Sequence, residues 1–143
     1  MFKYYLNRLG RLLSSLPTTI YFNFHYLPFR QAVKLPIWLR KAELKKMKGK
    51  IIINSDEIKS GMITMGFREV SVYPNSGVMW ENNGGTIIFN GNCMIGNASF
   101  LSFGKNTQVE FGKDFRNTAA LRLVSYHGIK FGDYARLGWE SVI

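Results

Sequence analysis

Two histidines and one cysteine are the side chains of this 143-residue chain best suited to acid–base or nucleophilic chemistry. His127 lies in the segment SYHG, residues 125–128, and is the candidate general base, because imidazole exchanges protons near neutral pH. No partner carboxylate is evident from the sequence, so a surface or packing role is the alternative. His25 stands among aromatic residues, which favours packing over ligation.

The remaining reactive groups indicate little chemistry of their own. Cys93 stands where small residues recur, and we expect an inward-facing, unreactive thiol. One cysteine excludes an intrachain disulfide, and one cysteine with two histidines does not make a zinc site. The adjacent acids Asp56 and Glu57 fit a solvated turn. The sequence contains no phosphate-binding or dinucleotide-binding glycine motif.

An internal repeat in residues 87–143 predicts the elements that position these side chains. A bulky apolar residue precedes glycine five times, at Ile95-Gly96, Phe103-Gly104, Phe111-Gly112, Phe131-Gly132 and Leu137-Gly138. Apolar residues also recur six positions apart, as in Phe89, Ile95 and Leu101. A small residue often follows four positions later, at Cys93, Ser99, Thr107, Ala135 and Ser141, with Phe115 as the exception.

A period of six matches neither the 3.6 of a helix nor the 2 of a strand. It indicates short strands joined by turns, stacked as a solenoid that buries a continuous apolar column. We expect the glycines to permit the unusual backbone angles of the turns. Residues 51–53 and 62–66 read as strands, 82–85 as a turn and 117–128 as an excursion. A twisted antiparallel sheet is the alternative architecture.

The N-terminal residues 2–16 have the pattern of an amphipathic helix, which Pro17 is expected to end. Its apolar residues are Phe2, Tyr5, Leu6, Leu9, Leu12, Leu13 and Leu16. The pattern fits a helix on an anionic membrane surface and equally a helix packed on the body or on another subunit. Residues 20–39 read as an irregular, aromatic lead-in. The apolar runs are too short for a bilayer-spanning helix.

Positive charge is concentrated in the first third of the chain. Residues 1–50 contain 11 of the 19 Lys and Arg residues and one acid, Glu43, whereas residues 51–143 contain eight of each sign. This asymmetry indicates an anionic partner for the first third. The basic run 40–50 is either a solvated face or a patch that binds lipid or nucleic acid. Nucleic acid is disfavoured as a partner, because no nucleic-acid-binding motif accompanies the basic residues.

The C-terminal segment FGDYARLGWESVI, residues 131–143, resembles the hexapeptide-repeat acyltransferases. Residues 21–39 (YFNFHYLPFRQAVKLPIWL), the KGK turn at 48–50 and GMI at 61–63 are similar to the lead-in of acyltransferases encoded with bacterial capsule and exopolysaccharide enzymes. The resemblance implies a left-handed parallel β-helix of about three coils in residues 51–143. A basic N-terminal helix and aromatic lead-in, residues 1–50, would precede it.

The resemblance also implies an acyl-CoA-dependent O-acetyltransferase that acts on a saccharide in capsule or exopolysaccharide biosynthesis. Acetyl-CoA or another acyl-CoA would be the donor, without a metal, and the enzyme would be a homotrimer. We expect it in the cytoplasm, at the inner face of the membrane through residues 2–16. The alternative is a non-catalytic β-helix scaffold or membrane-surface interaction module.

The general-base histidine of such enzymes stands in an Asp-x-x-His motif, which would follow Ile143. The family's catalytic residues therefore have no counterpart here, which leaves His127 as the candidate. We also expect the β-helix to be incomplete at its C-terminal end, since the later coils of the family are not represented.

Overall fold

The computed structural model describes residues 2–143, without the side chains of Arg8, Arg11 and Leu12. The helices are α1 (Phe2–Tyr26) and α2 (Phe29–Ala32). The strands are β1 (Ile37–Leu39), β2 (Ala42–Met47), β3 (Lys50–Ile53), β4 (Ile63–Phe67), β5 (Val78–Asn82), β6 (Thr86–Phe89), β7 (Cys93–Asn97), β8 (Ser99–Phe103), β9 (Gln108–Phe111), β10 (Phe115–Ala119), β11 (Arg122–Ser125), β12 (Ile129–Lys130) and β13 (Arg136–Leu137). No described helix is long and apolar enough to cross a membrane.

The strands form three sheets that the chain visits in a fixed order. The first sheet has the order β1-β4-β7-β10-β13, the second β2-β5-β8-β11 and the third β3-β6-β9-β12. Each strand from β1 to β10 pairs in parallel with the strand three positions later. We call one pass through the three sheets a coil. The architecture is mainly β and consistent with a parallel β-helix-like solenoid, and the antiparallel alternative is wrong.

The repeated apolar residues line the inside of the coils, as the sequence predicts. Ile95, Leu101, Phe103 and Phe111 are at most 1% exposed. In the third sheet Phe111 stacks between two aromatic neighbours, with ring centroids 5.2 Å from Phe89 and 5.4 Å from Phe131. Each coil therefore packs its side chains directly on those of the next, which keeps the column dry.

Gly96, Gly104 and Gly112 serve close packing, whereas a Cβ on Gly132 or Gly138 would meet no described atom within 4 Å. The expectation of unusual backbone angles at the repeat glycines is wrong. None of the five is among the residues with positive φ. A Cβ added to Gly96 would lie 2.1 Å from the carbonyl oxygen of Thr118, and one on Gly112 would lie 2.4 Å from that of Gly132. The backbone of the next coil passes too close for any side chain.

Other residues adopt the left-handed backbone conformation at the corners. Between the first and second sheets, this conformation falls on Lys41, Gly77, Ala98, Ala120 and Glu140, with φ from 47° to 76°. Each precedes a second-sheet segment, so the same turn recurs from coil to coil. The left-handed conformation at this corner depends on the position of the residue in the stack and does not require glycine.

Residues 117–128 do not form an excursion. They contain the end of β10 and all of β11, in register with β7 and β8. The long connections lie earlier, at residues 54–62 and 68–77. Asn97 fastens the second of these, because its Oδ1 accepts hydrogen bonds from Ser76 and Gly77 N–H and its Nδ2 donates to Pro74 O. The segments predicted as strands and the bend at 82–85 are confirmed.

The coils begin at Ile37, within the segment that the sequence assigns to the lead-in. β1 and β2 pair with β4 and β5, so residues 37–47 belong to the first coil. The chain completes four coils and β13 follows, which is more than the three expected. The sequence of the early coils shows no six-residue period, because the long connections separate their strands.

Helix α1 continues through Pro17 to Tyr26, so the expected end at Pro17 is wrong. Pro17 is exposed, and water can hydrate the carbonyl that loses its helical partner there. Beyond it, Thr19, Phe22 and Asn23 are buried against the coils. These contacts hold the helix across the proline.

Helix α1 pairs with the outer edge of β1 through two polar side chains. Asn23 Nδ2 donates to Ile37 O at 2.7 Å, and Asn23 Oδ1 accepts from Ile37 N at 3.1 Å. Thr19 Oγ1 accepts from Leu39 N at 3.1 Å and donates to Leu39 O at 3.4 Å. The edge strand is thereby satisfied without another strand.

The same helix closes the apolar interior. Phe22 is fully buried and meets Trp80 edge to face, with ring centroids 5.1 Å apart. Tyr26 donates to Lys48 O at 2.9 Å and accepts from Trp80 Nε1 at 3.1 Å. Burial raises the pKa of Tyr26 to about 12, so its hydroxyl stays neutral at physiological pH.

Asn23→Ala should lower the free energy of unfolding by about 3 kcal/mol, because it leaves two buried backbone groups of Ile37 without partners. Asn7→Ala on the exposed part of the same helix is the control, with an expected change within about 0.5 kcal/mol. Urea unfolding followed by circular dichroism measures both. Equal losses in the two variants would show that Asn23 does not support β1.

Gly96→Ala should lower the free energy of unfolding by about 3 kcal/mol or prevent folding, since the new methyl group overlaps Thr118 O. Gly132→Ala is the matched control, because a Cβ there meets no described atom within 4 Å. Its expected change is within about 0.5 kcal/mol. A well-folded Gly96→Ala protein as stable as Gly132→Ala would contradict the close packing of the coils.

Candidate functional site

A polar groove lies where the third sheet turns back to the first. It has a volume of about 630 Å³. Its polar lining comes from four successive coils and from the connection 54–62, and includes Asn54, Asp56, Glu57, Asn90, Glu110, Lys113, Lys130 and Asp133. Parallel stacking brings these distant residues together, because the ends of β3, β6, β9 and β12 lie at one corner.

A ladder of side chains runs across the coils inside this groove. Asn54 Nδ2 donates to Asn90 Oδ1 at 3.2 Å, and Asn90 Nδ2 donates to Glu110 Oε1 at 2.8 Å. The other carboxylate oxygen of Glu110 lies 3.9 Å from Lys130 Nζ. The Glu110 side chain is 21% exposed and Lys130 is 74% exposed. The carboxylate is therefore held in place while its cationic partner remains accessible.

Asp133 and Ser55 make side-chain hydrogen bonds to the backbone at the groove. Asp133 Oδ1 accepts from Lys113 N at 2.7 Å, which joins the last two coils at this corner. Ser55 Oγ donates to Glu57 O at 3.1 Å and fixes the beginning of the connection. Amides, carboxylates and ammonium groups thus face one cavity, a lining that suits a hydroxyl-rich ligand better than an apolar one.

A second charged cluster lies on the neighbouring face, on the first sheet. Asp114 Oδ2 lies 2.8 Å from Arg136 Nη2, and Asp114 Oδ1 lies 3.3 Å from Arg116 Nε. The hydrogen bond from Arg136, with a further one from Arg116, lowers the pKa of Asp114 below its ordinary value. The cluster ties two adjacent coils together at the surface.

The histidines do not lie in the groove. His127 is exposed in the turn between β11 and β12, and no hydrogen bond or ion pair to it occurs within residues 2–143. Its assignment as a general base stays a prediction. His25 Nε2 lies 2.6 Å from Met47 O, and its ring packs edge to face on Tyr26. This geometry is that of a packing histidine on the helix.

Cys93 is buried, as the small-residue pattern predicts. Burial raises the pKa of its thiol well above the ordinary value, which removes it as a nucleophile. Asp56 and Glu57 are exposed, as expected of a turn, and they also line the groove. The described residues contain no group of three His, Cys, Asp or Glu side chains that could hold a metal ion.

Glu110, Asn54, Asn90 and Asp133 were missed by sequence reasoning. A signal for part of this set exists, since Asn54 and Asn90 each follow the last inward residue of a third-sheet strand, where glycine stands in later coils. The sequence repeat is recognisable only beyond residue 87, so it does not predict the stacking of Asn54 on Asn90.

No protein-family model, curated protein or solved structure matches this chain. The link to the acyltransferases therefore depends on the resemblance of the segments quoted above. The role of the groove depends on the chemistry of its lining residues.

Cys93 should react with Ellman's reagent about a hundredfold more slowly in the native protein than in urea, because its thiol is buried and protonated. The absorbance of the released thionitrobenzoate gives both rates, and Cys93→Ala supplies the blank. Equal rates in native and unfolded protein would contradict the inward position of the thiol.

Proposed function

We propose that this chain is a left-handed hexapeptide-type β-helix that serves in an acyl-CoA-dependent O-acetyltransferase with a saccharide acceptor. The resemblance of residues 131–143 motivates the family. The fold supports it through the observation that three apolar–glycine pairs stack in register: Ile95, Phe103 and Phe111 are buried, and Gly96, Gly104 and Gly112 abut the next coil. The capsule and exopolysaccharide setting rests on the resemblance of residues 21–39.

The polar groove is the proposed acceptor site. Sugar hydroxyls both donate and accept hydrogen bonds, and the groove offers the Glu110 carboxylate, the Asn90 amide and the Lys130 ammonium group. Its volume of about 630 Å³ accommodates a small oligosaccharide. We assign acceptor binding to these residues, and no proton-transfer role.

The proposed reaction transfers one acyl group from the thioester to a sugar hydroxyl. The acceptor hydroxyl oxygen attacks the thioester carbonyl carbon, a C–O bond forms, and the C–S bond to coenzyme A breaks. The hydroxyl proton passes to a general base and then to the leaving thiolate. The products are an O-acetylated sugar and free coenzyme A, so thiol release reports turnover.

Thiol release from acetyl-CoA in the presence of a panel of hexose and hexosamine oligosaccharides tests the proposal. We expect release that depends on the saccharide, together with acetylated sugar detected by mass spectrometry. Glu110→Gln should raise the KM for the saccharide about tenfold, since it weakens a charge-assisted hydrogen bond. Glu69→Gln, on the exposed connection 68–77, should leave KM unchanged.

Calorimetric titration with acetyl-CoA separates the outcomes. If the folded protein neither releases thiol nor binds acetyl-CoA, the acyltransferase proposal is contradicted and the non-catalytic scaffold is favoured. Turnover with the same KM in the Glu110→Gln and wild-type proteins would keep the acyltransferase and reject the groove as the acceptor site.

A further inference from the structure

An exposed apolar stripe runs along the whole of α1. At about 100° per residue, its members fall within about 100° of the helix circumference. They are 39–77% exposed: Phe2, Tyr5, Leu6, Leu9, Leu13, Leu16, Ile20 and Phe24. The stripe reaches well past the segment 2–16 that the sequence indicates, because the helix continues through Pro17.

The stripe is separate from the face that docks on the coils. The docking face carries Ser15, Thr19, Phe22 and Asn23, which are at most 9% exposed. Its centre lies about a third of a turn around the helix from the centre of the stripe, and the two faces adjoin at Asn23. The part of the chain that the structure describes therefore covers one face of α1 and leaves the other open.

The open face extends onto α2. Phe24 at the end of the stripe contacts Phe29, with ring centroids 5.9 Å apart. Phe29 is 73% exposed and Val33, one turn further on, is 50% exposed. Together α1 and α2 give this end of the molecule a contiguous apolar surface of the kind that marks an interaction site.

Basic residues are concentrated in the elements next to α1 in the chain. Arg40 Nη1 donates to Ser15 Oγ at 3.4 Å, and the Lys48 carbonyl lies under Tyr26, so both residues flank α1. The exposed bases of α2 and the first coil are Arg30, Lys34, Lys41, Lys45, Lys46, Lys48 and Lys50. Glu43 is the one acid in residues 2–50, and it lies 3.7 Å from Lys45.

We propose that this stripe binds in the plane of an anionic lipid surface, with the basic residues of α2 and the first coil contacting the headgroups. An apolar face of Leu, Phe and Tyr beside a strongly basic surround is the composition of an interfacial helix. A second copy of this chain docked symmetrically on the stripe would bring the same basic residues together, which like-charge repulsion opposes. The charge asymmetry therefore favours lipid over a second copy of the chain, and the proposal is independent of the acyltransferase activity.

Sedimentation with vesicles of equal parts phosphatidylglycerol and phosphatidylcholine tests the proposal on the full chain. We expect binding at about 50 mM salt, a loss of about tenfold at about 0.5 M salt, and little binding to phosphatidylcholine alone. The double variant Lys46→Gln with Lys48→Gln should bind the mixed vesicles at least fivefold more weakly.

A matched pair of variants tests the stripe itself. Leu9→Glu with Leu13→Glu places two carboxylates on the stripe, and Tyr4→Glu with Asn7→Glu places two on the opposite side of the same helix. All four positions are exposed, so both proteins should fold with the circular dichroism of the wild type. The stripe variant should lose vesicle binding tenfold or more, and the off-stripe variant should lose much less.

Three results would overturn the proposal. The first is no sedimentation of the wild type with anionic vesicles at low salt. The second is equal binding by the stripe and off-stripe variants. The third is a fall in the molar mass by light scattering for the stripe variant alone, which would show that a second copy of the chain occupies the stripe.

Discussion

The pairing of α1 with β1 is the interaction on which the rest of the structure depends. In a stack of parallel coils, each coil satisfies the backbone groups of the next, but the first has no predecessor. Asn23 and Thr19 replace the missing strand by bonding the N–H and carbonyl groups of Ile37 and Leu39. Phe22 then covers the apolar interior from the same helix. Without these contacts the first coil would expose an open edge and a hydrophobic end.

The close approach of the backbones of successive coils is the second constraint on the structure. Gly96 and Gly112 stand where the backbone of the next coil crosses within van der Waals distance. This spacing keeps the strands in hydrogen-bonding register and aligns the corners. A regular corner places side chains of successive coils in columns, both inside, as in the phenylalanine stack, and outside, as in the ladder from Asn54 to Glu110.

The molecule separates its two proposed activities in space. The polar groove spans all four coils at one corner, whereas the apolar stripe and most of the positive charge lie at the end closed by α1. Lipid binding at that end would not use the residues that line the groove. Each surface also has a chemistry that the other lacks, so variants of one serve as controls for the other.

The sequence by itself determined the solenoid beyond residue 87, the inward column and the buried thiol, because a six-residue period encodes local strand–turn geometry. It also revealed the apolar and basic pattern of the first third. Tertiary structure decided the rest. β1 has three residues, too few for a periodic signal, and α1 passes Pro17 because Thr19 and Asn23 bond to β1. The groove assembles residues from 54 to 133, which only the stacking of coils brings together.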